Sequence, residues 1–297
     1  MYDIIGDIHG EATGLHTLLA ALGYRLSGGI YRHPGRKAVF LGDFINKGSD
    51  TRTVLQTVRA MVESGAAYAI AGNHELNLAG FFQKHARGEY IRPHTEKNRA
   101  QHAPTFADFA HEESLLQEYI AWMKTLPLFL ELDGLRVVHA FWHQSSIAYL
   151  RQYYPSCRMD DRLLYDMVPG SAAAQAAEEL LVGIKLELPP SLGGAPFKTK
   201  WWEIGRSYHY RPLNIRPDPA LGNPVISTKD IQESAYQYPE DAIPLFFGHY
   251  NLAGKPYLLA HNYACLDFNL ESRPLVVAYR WDGESRLENN KFVYVGG

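Results

Sequence analysis

Two hydrophobic periods alternate at the start of the chain. Tyr2 to Gly6, Lys37 to Leu41 and Ala66 to Ala71 are short, nearly continuous apolar runs, and they predict buried strands. Between them Leu15, Leu18, Leu19 and Leu22 recur at i, i+3, i+4 and i+7. Val54, Val58, Met61 and Val62 mark one face of a second helix, from about Asp50 to Ser64. Strands alternating with helices predict a largely parallel sheet, because each crossover helix returns the chain to the edge it left. From Phe81 to Thr105 the periodicity fades, and Lys84, Arg87, Arg92, Lys97 and Arg99 outnumber Glu89 and Glu96, with His85 and His94 among them. That segment reads either as a solvated excursion or as a basic rim over a site for an anionic substrate. A helix is predicted from about Phe106 to Leu126, so 81–126 forms a helical and basic excursion.

Leu128 to Leu132 and Leu135 to His139 flank Asp133-Gly134, which is a hairpin pattern. Residues 145–239 read as an insertion whose packing the pattern leaves open, with helical pieces at Asp161 to Met167 and Ala172 to Gly183. Strand runs then return at Ile243 to Phe247, Tyr257 to Ala260, Tyr263 to Phe268, Leu275 to Trp281 and Lys291 to Val295, and predict a mainly antiparallel second sheet. The expected organisation is one domain over 1–297.

Composition narrows the classes. With 297 residues, 46% hydrophobic and 21% charged, the chain is ordinary globular protein, and its net charge of −3 draws it to neither nucleic acid nor an anionic membrane. Two cysteines, Cys157 and Cys265, are too few for a disulfide framework. The first residues lack the basic and apolar regions of a signal peptide, and no apolar run reaches the length of a membrane span. The expectation is a cytoplasmic protein without a membrane partner.

Five polar sites each follow an apolar run: Gly6-Asp7-Ile8-His9-Gly10, Gly42-Asp43-Phe44-Ile45-Asn46-Lys47-Gly48, Gly72-Asn73-His74-Glu75, His139, and Gly248-His249. Singly, each has an ordinary reading as a turn former, a cap or a core histidine. In order at strand ends, where open α/β sheets place ligand chemistry, they form one constellation. Asp7, His9, Asp43, Asn73, His139 and His249 offer carboxylate, imidazole and amide donors suited to Mn, Fe or Zn. A central carboxylate can bridge two such ions roughly 3.5–4 Å apart, which lowers the pKa of a bridging water and clamps a phosphoryl group. His74 diverges from its neighbour Asn73 and is left to act as general acid.

These motifs resemble the calcineurin-like metallophosphoesterases, in the branch of phosphoprotein phosphatases, bacterial diadenosine tetraphosphatases and RNA-repair phosphatase modules. Gly6 to Gly10 matches GDxHG, Gly42 to Gly48 resembles GDxxDRG, and Gly72 to Glu75 is GNHE. The resemblance implies an α/β fold, a four-layer αββα sandwich with two mixed sheets and a helical insertion. It implies two divalent metal ions, Mn first and Fe/Zn as alternatives. Asp7 and His9 would hold one ion, Asn73, His139 and His249 the other, and Asp43 would bridge. His74 would protonate the leaving group, and a metal-bound hydroxide would attack phosphorus directly.

The chain departs from the family where GDxxDRG has aspartate and arginine, which are Asn46 and Lys47 here. Asn46 can hydrogen-bond His74 without charging it, and Lys47 meets phosphate as a point charge rather than a fork. The expected substrates therefore have good leaving groups: a phosphoprotein (phosphotyrosine before phosphoserine) or a small aryl-type phosphomonoester. A nucleotide or dinucleoside polyphosphate is the alternative. A catalytically weak phosphate-binding module is a further one, and nucleic-acid ends are possible but not favoured. Lys198, Lys200 and Arg206 surround Trp201-Trp202 and are the candidates for a second basic phosphate ligand. The tryptophans read as core packing or as a stacking platform.

Overall fold

A computed structural model of the chain describes residues 1–227, 236–271 and 273–296. β1 (Tyr2–Ile5) leads through α1 (Ala12–Ala21) and the hairpin of β2 (Arg25–Ser27) and β3 (Ile30–Arg32) to β4 (Lys37–Phe40). Then come α2 (Thr51–Glu63), β5 (Ala67–Ala69), α3 (Asn73–Phe82), α4 (Glu96–Asp108), α5 (Glu113–Met123), β6 (Phe129–Leu132) and β7 (Leu135–Val138). α6 (Gln144–Tyr153), α7 (Asp161–Asp166) and α8 (Ala172–Val182) precede β8 (Lys185–Glu187), β9 (Pro196–Lys198) and the short α9 (Tyr210–Leu213). The chain closes with β10 (Leu245–Phe247), β11 (Leu252–Ala253), β12 (Tyr263–Cys265), β13 (Asp267–Leu270), β14 (Arg273–Trp281) and β15 (Phe292–Gly296).

The first sheet has the order β11-β13-β14-β1-β4-β5, with β15 also on β14. β1 pairs parallel to β4 and antiparallel to β14, and Ile4, Ile5, Val39 and Phe40 are fully buried, as a strand covered on both faces requires. The second sheet has the order β12-β10-β7-β6. The sheets pack face to face, with the rings of Phe246 and Tyr279 5.0 Å apart. α1 and α2 bury Leu15, Leu18, Leu19, Val54, Val58 and Met61 on the outer side of the first sheet. α6 and α8 pack together beside the second, where the Leu180 carbonyl accepts the Ala140 N–H. The result is the expected α/β fold, four layers with two mixed sheets.

Local assignments differ in several places. The last strands do not build a separate antiparallel sheet: β10 runs parallel between β7 and β12, whereas β13, β14 and β15 join the first sheet through β1. Tyr257 to Ala260 forms no strand beyond a single bridge from Ala260 to Tyr263. The one helix expected over Phe106 to Leu126 is two, α4 and α5. α4 begins at the Thr95 cap, whose side chain accepts the Asn98 N–H. α3 escaped the pattern because it buries His74, Glu75, Leu76, Leu78, Ala79 and Phe81, leaving no polar face to give a period.

The described part of 145–239 packs on the second sheet; 228–235 lie outside the described residues. Trp201 and Trp202 are 1% and 6% exposed, and both rings lie against Phe247, so they are core. Among the described residues, no helix is long and apolar enough to cross a membrane.

Candidate dinuclear metal centre

The strand ends of the two sheets lie together at one edge of the sandwich, and the His139 side chain ties one sheet to the other. β1, β4 and β5 end in the loops carrying Asp7, Asp43 and Asn73; β7 and β10, parallel to one another, end at His139 and His249. The His139 Nδ1–H donates to the Leu41 carbonyl (2.7 Å), and the Gly248 N–H donates to the His139 carbonyl (2.8 Å). His9, Asp43, Asn46, Lys47 and His249 all sit at φ between +50° and +69°. Such backbone costs on the order of 1–3 kcal/mol per residue and gathers where a site demands it.

Glu75 holds the central loop. It is fully buried, and its carboxylate accepts the N–H groups of Asp43 (2.8 Å), Phe44 (2.9 Å) and Gly72 (2.8 Å). The Gly72 bond is one half of a capping box, so Glu75 starts α3 and shapes the Asp43 turn at once. Asp43 Oδ1 in turn accepts the His74 N–H in the first turn of α3 (2.9 Å), where the helix dipole favours an anion.

Donor atoms converge in two groups that share Asp43. On one side Asp7 Oδ2 and Asp43 Oδ2 lie 3.6 and 3.7 Å from His9 Nε2. On the other, His139 Nε2 lies 3.3 Å from Asp43 Oδ1 and 3.1 Å from Asn73 Oδ1, and His249 Nδ1 lies 2.7 Å from Asn73 Oδ1. Donors bound to one first-row ion at about 2.1 Å stand about 3 Å apart, so both groups have the right spacing. The Nδ1–H of His9 donates to the Ile45 carbonyl (3.3 Å), as that of His139 does to Leu41, so each turns Nε2 toward the site. Charge fits as well. Burial, with the Asp267 carboxylate nearby, pushes the Asp7 carboxyl well up. Burial also opposes ionisation of Asp43, but the His139 and His74 imidazoles outweigh it and hold that carboxyl well below its usual range. Burial would lower His139, yet Asp43 lifts it to about 9. Buried carboxylates at one point, compensated by imidazoles and by the Lys47 and Lys198 ammoniums at the cleft wall, are a donor set that divalent cations complete.

His74 stands beside this centre, with Nε2 3.8 Å from Asp43 Oδ2. The Asn46 side-chain nitrogen lies 2.8 Å from His74 Nδ1, so the expected pairing is present in the geometry. Thr105 of α4 orients that amide: its hydroxyl donates to Asn46 Oδ1 (2.7 Å) and accepts the Asn46 N–H (3.2 Å). His102, fully buried, approaches the same amide nitrogen at 3.3 Å. No motif marks Thr105 or His102; they come from the segment where periodicity fades.

Above the donors lies a cleft of about 240 Å³, lined by His9, Asp43, Lys47, Asn73, His74 and His249. Lys198, Asn214, Arg216 and Asp267 are also in its walls. Lys47 Nζ reaches to 2.6 Å from His9 Nε2. Of the basic residues expected near Trp201-Trp202, Lys198 is in the cleft, its ammonium donating to the His249 carbonyl, and burial lowers it to about 8 against the pull of Asp267 and Asp7. Lys200 lines instead an adjoining cavity of about 1090 Å³ on the Asp7 side, and Arg206 hydrogen-bonds Tyr263, away from the cleft. Arg216, which no motif marks, has no ion-pair partner among the described residues and lines both cavities.

Gly248 is a test of the geometry, because a Cβ there would overlap Asp7 Oδ1. Gly248→Ala is expected to leave a folded protein whose weaker-bound Mn(II) is held about tenfold less tightly, read by isothermal titration. Unchanged binding of both ions would show that Asp7 is not a ligand.

The model of the calcineurin-like phosphoesterase family matches residues 2–163. An asymmetrical bis(5'-nucleosyl)-tetraphosphatase, PrpE, of Oceanobacillus iheyensis is 33% identical over 140 residues, 46% of this chain and 54% of that protein. The PrpE of a Geobacillus species is 31% identical over 139 residues, 46% of this chain and 55% of that protein. The chain thus spans about half the length of the curated relatives it matches. A solved serine/threonine phosphatase of Saccharomyces cerevisiae aligns at a TM-score of 0.47 with 12% identity, covering 99% of this chain and 78% of that one, which is too distant to bear on function.

Proposed function

The chain belongs to the calcineurin-like phosphoesterase family, and we propose that it hydrolyses phosphoanhydrides of dinucleoside polyphosphates or related nucleotides. The observation that carries this is the uncharged Asn46 amide on His74, 2.8 Å from Nδ1, which suits a leaving group needing little protonation. The tetraphosphatase names of the relatives support the same substrate class. In this reading Asp7, His9 and Asp43 hold one divalent ion, and Asp43, Asn73, His139 and His249 the other, with Mn(II) first and Fe/Zn as alternatives. Such a pair, when bound, neutralises phosphoryl charge and acidifies water. Lys47, Lys198 and Arg216 orient the phosphate from the cleft wall, and neutral His74 donates a hydrogen bond from Nε2–H to the departing oxygen, which suits a leaving group that departs as an anion. Aryl monoesters such as phosphotyrosine meet the same leaving-group criterion and are the second reading.

The test is kcat/KM for diadenosine tetraphosphate, p-nitrophenyl phosphate and a phosphoserine peptide, on metal-stripped protein with and without Mn(II). Mn-dependent preference for the tetraphosphate is expected. Preference for the aryl ester would move the assignment to the second reading, and bound metal without turnover would mean a phosphate-binding module.

A further inference from the structure

A cavity of about 570 Å³ opens beside Asn73, between α3 and α4 on one side and α8 and β8 on the other. Its volume lies within the range of small-ligand sites. Amide side chains line the wall beside as many charged ones, among them Glu178, which pairs with Arg92, and Glu179, which pairs with His143; three of the amides are oriented from behind. Asn77 Oδ1 accepts from Arg92 Nε (2.6 Å), which leaves the Asn77 NH₂ as a donor. The Asn98 NH₂ donates to the Pro93 carbonyl (2.6 Å) and the Gln175 NH₂ to Glu179 (2.9 Å), which leaves both amide oxygens as acceptors. Gln101 and Lys97 also line the cavity, and neither side chain has a hydrogen-bond or ion-pair partner among the described residues. Tyr236 adds an aromatic wall, stacked on Phe141 (5.7 Å, 11°) and His143 (5.8 Å, 8°).

We infer that this cavity is a nucleobase subsite, with the phosphate chain of the same nucleotide running past Lys97 and Asn73 to the metal centre. Oriented amide oxygens and an oriented amide NH₂ around one cavity offer both acceptors and donors to a purine edge that carries an amino group next to ring nitrogens; an unfunctionalised aryl ring would leave them unpaired. The ammonium of Lys97, with that of Lys185 on the facing wall, matches a polyphosphate leading away from the base. The adjoining cavity on the Asp7 side includes Leu252, Leu258 and Leu259 and lacks such an amide set. The inference rests on the proposed nucleotide specificity, and its test separates the two.

Gln101→Leu and Lys97→Met remove groups that hold nothing else in place. Each is expected to raise KM for diadenosine tetraphosphate about tenfold with kcat unchanged, and to leave p-nitrophenyl phosphate hydrolysis as in the parent. In EDTA, saturation-transfer NMR with millimolar AMP is expected to show saturation of the adenine protons by the parent protein and none by the variants. Unchanged KM in both variants, an equal loss on p-nitrophenyl phosphate, or silent adenine protons with the parent would overturn the subsite. Adenine saturation that is present with the parent and absent with the variants, in a protein that hydrolyses no nucleotide, would sustain the subsite and refute the proposed substrate.

Discussion

Asp43→Asn is expected to lower kcat/KM at least about a thousandfold and to cut tightly bound Mn(II) from two ions to one or none, on every substrate the protein accepts. Among the described residues, Asp43 alone has an oxygen in both donor groups, Oδ2 toward His9 and Oδ1 toward His139. Asparagine keeps the volume and keeps an oxygen for the His74 N–H, so the first turn of α3 can stay in place. It puts an NH₂ where an ion on the His9 side would need an anionic oxygen, and it removes the charge that lifts His139 to about 9. A thousandfold is about 4 kcal/mol, the scale of losing one ion's charge stabilisation. Elemental analysis after dialysis, beside kinetics and a thermal melt, separates metal loss from misfolding. Two retained ions with parental kinetics would show that Asp43 does not bridge.

Much of this centre is legible because its residues sit in short local motifs. Asp7 and His9, Asp43 and Asn46, and Asn73 and His74 are each close neighbours directly after a strand-like run. The parallel alternation of the first three strands then places their ends together. What stays hidden is set by tertiary packing. Lys198 and Arg216 enter the cleft from a stretch whose packing the hydrophobic pattern leaves open, and Asp267 comes from the start of β13. Lys200 lies two residues from Lys198, yet it lines the neighbouring cavity. Arg206, similar in sequence context, is taken up by Tyr263. Glu75 is visible as a motif residue, but its part in holding two loops appears only from its three accepted N–H groups. Thr105 and His102 carry no signature, because a buried polar contact behind a general acid needs neither a motif nor a period.

The departure at Asn46 yields the second large effect, and it depends on the substrate. His74→Ala is expected to cost about a hundred- to a thousandfold on phosphoserine, whose alkoxide leaves only with a proton, and far less on p-nitrophenyl phosphate or a phosphoanhydride. Asn46→Asp is expected to act the opposite way, raising the phosphoserine rate about tenfold and leaving the others nearly unchanged. In the parent, Thr105 occupies Asn46 Oδ1, so the amide presents an N–H to His74 Nδ1 and stabilises the neutral imidazole with its proton on Nε2. Burial lowers His74 too, against the pull of Asp43. A carboxylate at Asn46 would accept from Nδ1–H and favour the imidazolium, which is what a poor leaving group requires. It would also stand fully buried, so a drop in thermal stability accompanies the gain. Parallel kinetics across leaving groups of graded pKa decide the matter: a slope that flattens in Asn46→Asp and steepens in His74→Ala is the expected pair. If Asn46→Asp shifts every substrate by one common factor, the amide does not govern proton delivery by His74, and the choice of anhydride substrates must come from binding alone.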